Sequence, residues 1–135
     1  MKRILMIFAM LAVMVAGLNL AQSAFAQGKA SPECKTECNT CATVCEKTVA
    51  YCEKQGGKHA EAAHINAIKD CVATCKMSDK LMSHDSDLMS KSCALCKEAC
   101  LKCAETCDTF KGDKQMKECA DECRKCAKSC EKMAG

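Results

Sequence analysis

The chain has 135 residues, sixteen of them cysteine, and a formal net charge of +3. Beyond residue 26 its only aromatic side chains are Tyr51 and Phe110, and its basic residues alternate with acidic ones. That pattern excludes a nucleic-acid binder, which would carry a basic face with aromatics to stack on. Past the same point Leu, Ile, Val and Phe number only ten: Val44, Val49, Ile65, Ile68, Val72, Leu81, Leu88, Leu95, Leu101 and Phe110. This is too little apolar surface for an ordinary core, so whatever the cysteines bind or form must hold the fold together.

Residues 1–26 read as a cleaved signal peptide. Lys2-Arg3 form a positive start, Ile4 to Leu20 an apolar run, and Ala24-Phe25-Ala26 a small-x-small cleavage site. The run is short for a membrane anchor and ends at that site, so the chain is expected to be exported and free of the membrane. Residues 27–135 then form one domain.

Four helices are expected in that domain. The first runs from about Ser31, an N-cap with Pro32 at the first helical position, to Gln55, where Gly56-Gly57 ends it. The second runs from about His59 to Leu81 or Met82. Ser83-His84-Asp85-Ser86 separates it from a third, which continues to Phe110. Lys111-Gly112-Asp113 breaks that helix, and a fourth runs to about Met133. Connections this short make sequential helices antiparallel, giving an all-α, up-down-up-down four-helix bundle.

Cysteine spacing sets the character of its core. The first helix carries Cys34, Cys38, Cys41, Cys45 and Cys52, and the second Cys71 and Cys75. The third carries Cys93, Cys96, Cys100, Cys103 and Cys107, and the fourth Cys119, Cys123, Cys126 and Cys130. Alternating steps of three and four place the thiols on one stripe of each helix, where a bundle normally carries leucine. The stripes extend to His64 and Met82 on the second helix, Met89 and Phe110 on the third, and Met116 and Met133 on the fourth. Cys34, Met82, Met89 and Met133 are expected at one end of the bundle, and Cys52, His64, Phe110 and Met116 at the other. His59 and His84 fall at loops and are expected to be solvated.

Residues i and i+4 of a helix lie about 6 Å apart along its axis. A CxxxC pair can therefore clamp a two-coordinate ion after modest rotamer adjustment, with a third thiolate from a neighbouring helix. Soft thiolates and low coordination favour copper(I). Charge agrees: no Lys or Arg lies on the stripes, one copper(I) per thiolate is neutral, and zinc(II) held by four thiolates leaves two surplus negative charges in a dry interior. The sixteen cysteines are thus candidate ligands for many Cu(I) ions per chain. Two other readings stay open, an exported helical protein stapled by disulfides and a zinc–thiolate buffer. The CxxC steps lie inside helices with no βαβ pattern around them, so no redox enzyme, and no catalysis, is expected.

Segments such as Cys34-Lys-Thr-Glu-Cys38, Cys41-Ala-Thr-Val-Cys45, Cys96-Lys-Glu-Ala-Cys100, Cys103-Ala-Glu-Thr-Cys107 and Cys126-Ala-Lys-Ser-Cys130 resemble those of the bacterial copper storage proteins. The resemblance spans Cys34 to Cys130. It implies a bundle that stores many copper(I) ions through these thiols, associates as a homo-tetramer, and places His and Met near an open end. On that ground His64 and Met89 join the candidate ligands. Exported members carry a twin-arginine signal, whereas Lys2-Arg3 here reads as a general secretory one. The expected location is the bacterial periplasm.

Overall fold

The computed structural model describes residues 28–135, so the signal peptide inferred for residues 1–26 lies outside the described residues. Helix α1 spans Pro32–Gln55, α2 Ala62–Met82, α3 Met89–Cys107 and α4 Lys114–Ala134, with a 3-10 turn at Gly57–Ala60. No strand occurs among the described residues, and no helix among them is long and apolar enough to cross a membrane.

Local chemistry accounts for most boundaries. The Ser31 hydroxyl accepts the Cys34 amide at 3.3 Å and Pro32 opens α1, leaving no helical partner wasted, since a first-turn residue needs none. Gly56 and Gly57 take φ of +67° and +55°, backbone that residues with a Cβ resist, and α1 stops there. The Asp113 carboxylate caps α4 by accepting the Met116 amide at 3.1 Å.

Two boundaries differ from expectation. The second helix begins at Ala62 rather than about His59, because the chain tightens into the 3-10 turn and Glu61 then turns extended at φ −60°, ψ 134°. The third ends at Cys107 rather than Phe110: the Phe110 amide bonds to the Cys107 carbonyl at 3.1 Å, closing a turn that folds the ring over the bundle end.

The helices pack in cyclic order, α1 against α2, α2 against α3, α3 against α4 and α4 against α1, the up-down-up-down arrangement. Ion pairs run along the seams: Lys76–Glu46 between α1 and α2, Lys97–Glu131 at 2.6 Å between α3 and α4, and Lys125–Glu37 at 3.0 Å between α4 and α1. The exposed Lys76–Glu46 and Lys97–Glu131 pairs contribute at most about 1 kcal/mol each. The interior is sulfur. All sixteen cysteines are at most 1% exposed, whereas Leu88, Leu95 and Leu101 lie outside at 53%, 50% and 40%. Leu95 and Leu101 are thus spent on the surface of α3 and Leu88 just ahead of it, while Leu81 is partly buried against the core.

Candidate metal centre

Because each stripe repeats every three to four residues, the four helices bring their side chains to shared levels along the bundle. At one end Cys52 of α1, His64 of α2 and Met116 of α4 converge. Cys52 Sγ lies 3.6 Å from His64 Nε2 and 4.0 Å from Met116 Sδ. Burial pushes the Cys52 thiol up to about 11, with the Cys119 charge adding to the effect. Burial also pushes His64 down, so the imidazole stays neutral and its lone pair available near pH 7. Its other nitrogen, Nδ1, is buried without a hydrogen-bond partner.

Moving along the axis, overlapping quartets of buried thiols follow: Cys45, Cys103, Cys119 and Cys123; Cys41, Cys45, Cys71 and Cys123; Cys41, Cys71, Cys75 and Cys100; Cys75, Cys96, Cys100 and Cys126; Cys38, Cys96, Cys126 and Cys130. Within each quartet the sulfurs lie inside 4.8 Å of one another. Two sulfurs bridged linearly by one ion stand about 4.6 Å apart, twice a metal–sulfur bond of about 2.3 Å. Consecutive quartets share members, so the column is continuous. It ends with Cys34 and Cys38, 3.9 and 3.7 Å from Cys130; Cys93, buried on α3, is close enough to Cys130 and Cys34 for their thiols to shift its own titration.

The sixteen cysteines are free thiols. Cys71 lies 3.7 Å from Cys41, 3.7 Å from Cys45, 3.4 Å from Cys100 and 3.7 Å from Cys123. A disulfide framework gives each cysteine one partner at about 2.05 Å; here a thiol has several equivalent neighbours, the pattern of a shared ligand field. Hydrogen bonds within it drive neighbours in opposite directions. Cys100 and Cys103 pull Cys71 down, while Cys100 and Cys126 push Cys75 up, so the thiols titrate as one network. The one charged side chain buried among the described residues is Glu37, whose Oε2 pairs with Lys125 at 3.0 Å. The column therefore has no cationic countercharge, and a cargo of singly charged cations, one per thiolate, leaves it neutral.

Beyond Cys34 lie Met82 and Met89, at 2% and 4% exposure. Met89 and Met133 line an end cavity of about 580 Å³. Met116, one of several flanking methionines in the sequence, has its sulfur 4.0 Å from Cys52 Sγ. His84 is exposed. His59 is not solvated as expected. The 3-10 turn lays it across the far end, where Nε2 bonds Asp113 Oδ2 at 3.0 Å and its ring stacks on Phe110 at 4.3 Å. Tyr51 donates to the same carboxylate oxygen at 2.9 Å, and Phe110 also stacks on His64 at 4.7 Å. This plug spans the α1–α2 and α3–α4 turns, and its signal in sequence is only Tyr51, His59 and Asp113 standing near helix ends.

Three solved structures share the architecture. The Nmul_A1745 protein of Nitrosospira multiformis is 37% identical over 76% of this chain and 92% of its own, with a TM-score of 0.71. The copper storage protein BsCsp3 in its Cu(I)-bound form is 28% identical over 76% of this chain and 95% of its own, with a TM-score of 0.71. The apo form of copper storage protein 3 from Bacillus subtilis is 27% identical over 76% and 97%, with a TM-score of 0.68. No curated protein sequence matches the chain. The family model described as copper storage protein matches residues 27–135. With its column of buried, overlapping thiol quartets, the chain belongs to the copper storage protein family.

Proposed function

We propose that this protein stores copper(I) by filling the thiol column, with all sixteen cysteines as ligands and His64 completing the site at the Cys52 end. The observation that carries the assignment is the unbroken run of shared quartets, from Cys45, Cys103 and Cys119 to Cys38 and Cys130. Each ion enters by replacing thiol protons, so the loaded core holds thiolates and Cu(I) in near-equal number and stays neutral. Capacity follows as roughly ten to sixteen ions per chain. Nothing in this scheme turns over; the activity is stoichiometric binding without catalysis.

Met89, with Met82 and Met133, serves the opposite end as a thioether lining that passes copper between the outside and Cys34. Residues 1–26 direct export to the periplasm and are removed. The mature chain assembles as a homo-tetramer, for which the exposed Leu95 and Leu101 on α3 and Leu88 just before it supply apolar surface.

An anaerobic Cu(I) titration of the reduced mature chain against a chromogenic chelator, with free thiols counted in the same sample, tests the function. Ten or more tightly held ions are expected. Saturation at a few ions, or zinc held at four thiols per ion through a copper(I) challenge, would replace storage with the disulfide or zinc reading.

A further inference from the structure

The side chain of Ser78 sits in the interior of α2 with no exposed surface, and its hydroxyl has no hydrogen-bond partner. Two other buried hydroxyls are satisfied by their own helix: Thr48 Oγ1 donates to the Val44 carbonyl at 2.8 Å and Ser92 Oγ to the Met89 carbonyl at 2.9 Å. Leaving a buried hydroxyl unpaired is costly.

Its level in the bundle says what it faces. One turn earlier on the same stripe, Cys75 lies 3.5 Å from Cys96 and 3.8 Å from Cys126, and Cys126 lies 3.8 Å from Cys38. Advancing one turn along α2 means one turn back along the antiparallel α1 and α3 and one turn forward along α4. That step arrives at Cys34, Cys93 and Cys130, the thiol cluster that closes the column. At this level α1, α3 and α4 each present a thiol and α2 presents a hydroxyl. Oxygen is a poor Cu(I) ligand beside so many sulfurs, but a hydroxyl donates a hydrogen bond that a thiol donates only weakly.

We propose that Ser78 is a positioning residue of the copper store, its hydroxyl paired only in the loaded state, when it donates to a thiolate of the Cys34/Cys38/Cys93/Cys130 cluster. The inference rests on the copper-store reading of the core. As each Cu–S bond forms, an S–H bond is lost and its proton leaves to solvent, with no change of oxidation state. A thiol that was a weak acceptor becomes a charged one. The donor left idle in the empty bundle then stabilises the partial negative charge that a copper-bound sulfur keeps at the end of the column, where fewer neighbouring ions share it.

The test compares wild type, Ser78→Ala and Ser78→Cys by thermal unfolding of the apo chains and by Cu(I) competition with a chromogenic chelator. Ser78→Ala is expected to leave the apo midpoint unchanged or raised and total capacity intact. One or two of its ions should pass to the chelator with about tenfold weaker affinity, the scale of a hydrogen bond to a charged acceptor. Ser78→Cys should fold, add one free thiol, and take up about one further ion, confirming that position 78 faces the cluster. An apo midpoint that falls in Ser78→Ala while every affinity holds would overturn the proposal, placing the hydroxyl's partner in the empty bundle as a buried water. So would affinities and midpoint that both match wild type. Failure of the wild-type chain to load copper is a separate result and removes the storage reading itself.

Discussion

Replacing Cys71 by alanine removes the sulfur that joins two quartets, the one with Cys41, Cys45 and Cys123 and the one with Cys41, Cys75 and Cys100. In a neutral column each lost thiolate takes one ion with it, so capacity falls by about one. The ions on either side keep two sulfurs but lose the third, and their hold weakens. Cys52 is a contrasting case, because its nearest polar neighbours are His64 and Met116 rather than thiols. Cys52→Ala should also lose about one ion, yet leave the remaining ions held as in wild type. Each substitution empties a buried sulfur-sized volume and costs the apo chain about 1 kcal/mol. Native mass spectrometry of the loaded chains counts the ions, and release to a chelator under anaerobic conditions times their departure. The expected signature is equal loss of capacity with unequal release: several ions leaving faster from Cys71→Ala, and a wild-type profile for those remaining in Cys52→Ala. Undiminished capacity in Cys71→Ala, or release profiles that match between the two variants, would refute the shared-ligand column.

Other outcomes follow from the same geometry. Copper affinity should rise with pH by about tenfold per unit for each thiol proton displaced, up to about pH 11 at Cys52, as measured by chelator competition across pH. Apo stability should follow two signs. The raised Cys52 pKa gives stability that is full below about pH 8.5 and lost as pH climbs toward 11, while the lowered His64 pKa gives stability that is full above about pH 6.5 and lost below it. Denaturant titrations of the apo chain between pH 5 and pH 11 check both arms. Changing Met82, Met89 and Met133 together to Leu should slow copper uptake in stopped-flow mixing while leaving final capacity alone; an unchanged rate would remove the thioether passage. Asp113→Ala strips the cap of α4 and the shared acceptor of Tyr51 and His59, a loss of about 2–3 kcal/mol that should lower the apo thermal midpoint by roughly 10 °C or more.

The bundle and its sulfur stripes were legible because a period of three and four residues is itself a statement about one helix face, and cysteine marks that face without interruption in α3 and α4 and with a single gap, at Thr48, in α1. What each thiol meets was not legible. That depends on the level at which one helix stands against the next, which short connections leave free by a turn, so the pairing of Cys71 with Cys100 or of Cys38 with Cys130 is visible only in the fold. The same limit hid Met116 beside Cys52, and it hid Ser78, an ordinary polar letter among many until the level of Cys34 and Cys130 is known. His59 was misjudged for a different reason: loop position suggests solvation, but Asp113 and Phe110 stand close enough to draw the ring down over the end.

The spacing of the sulfurs connects this packing to the load it carries. In the empty bundle neighbouring thiols sit 3.4 to 4.0 Å apart, ordinary van der Waals contact, so the sulfurs act as the core that the scarce aliphatic residues do not provide. A linear Cu(I) bridge holds two sulfurs at about 4.6 Å. Filling the column therefore asks each bridged pair to open by about 0.6–1.2 Å, within the reach of a χ1 adjustment on a side chain as short as cysteine. The helices need not separate to admit the metal, and the seams between them are laced by ion pairs such as Lys97–Glu131 and Lys125–Glu37, on flexible stems that tolerate such shifts. A leucine core of the same shape would be more stable empty and useless when copper arrives. The thiol core is marginal when empty and is reinforced by each ion it takes, with about 4 kcal/mol added by an ion present at a thousand times its dissociation constant. Storage and folding are thus the same interactions seen at two copper concentrations, and unfolding of the loaded chain should be governed by the rate at which copper leaves.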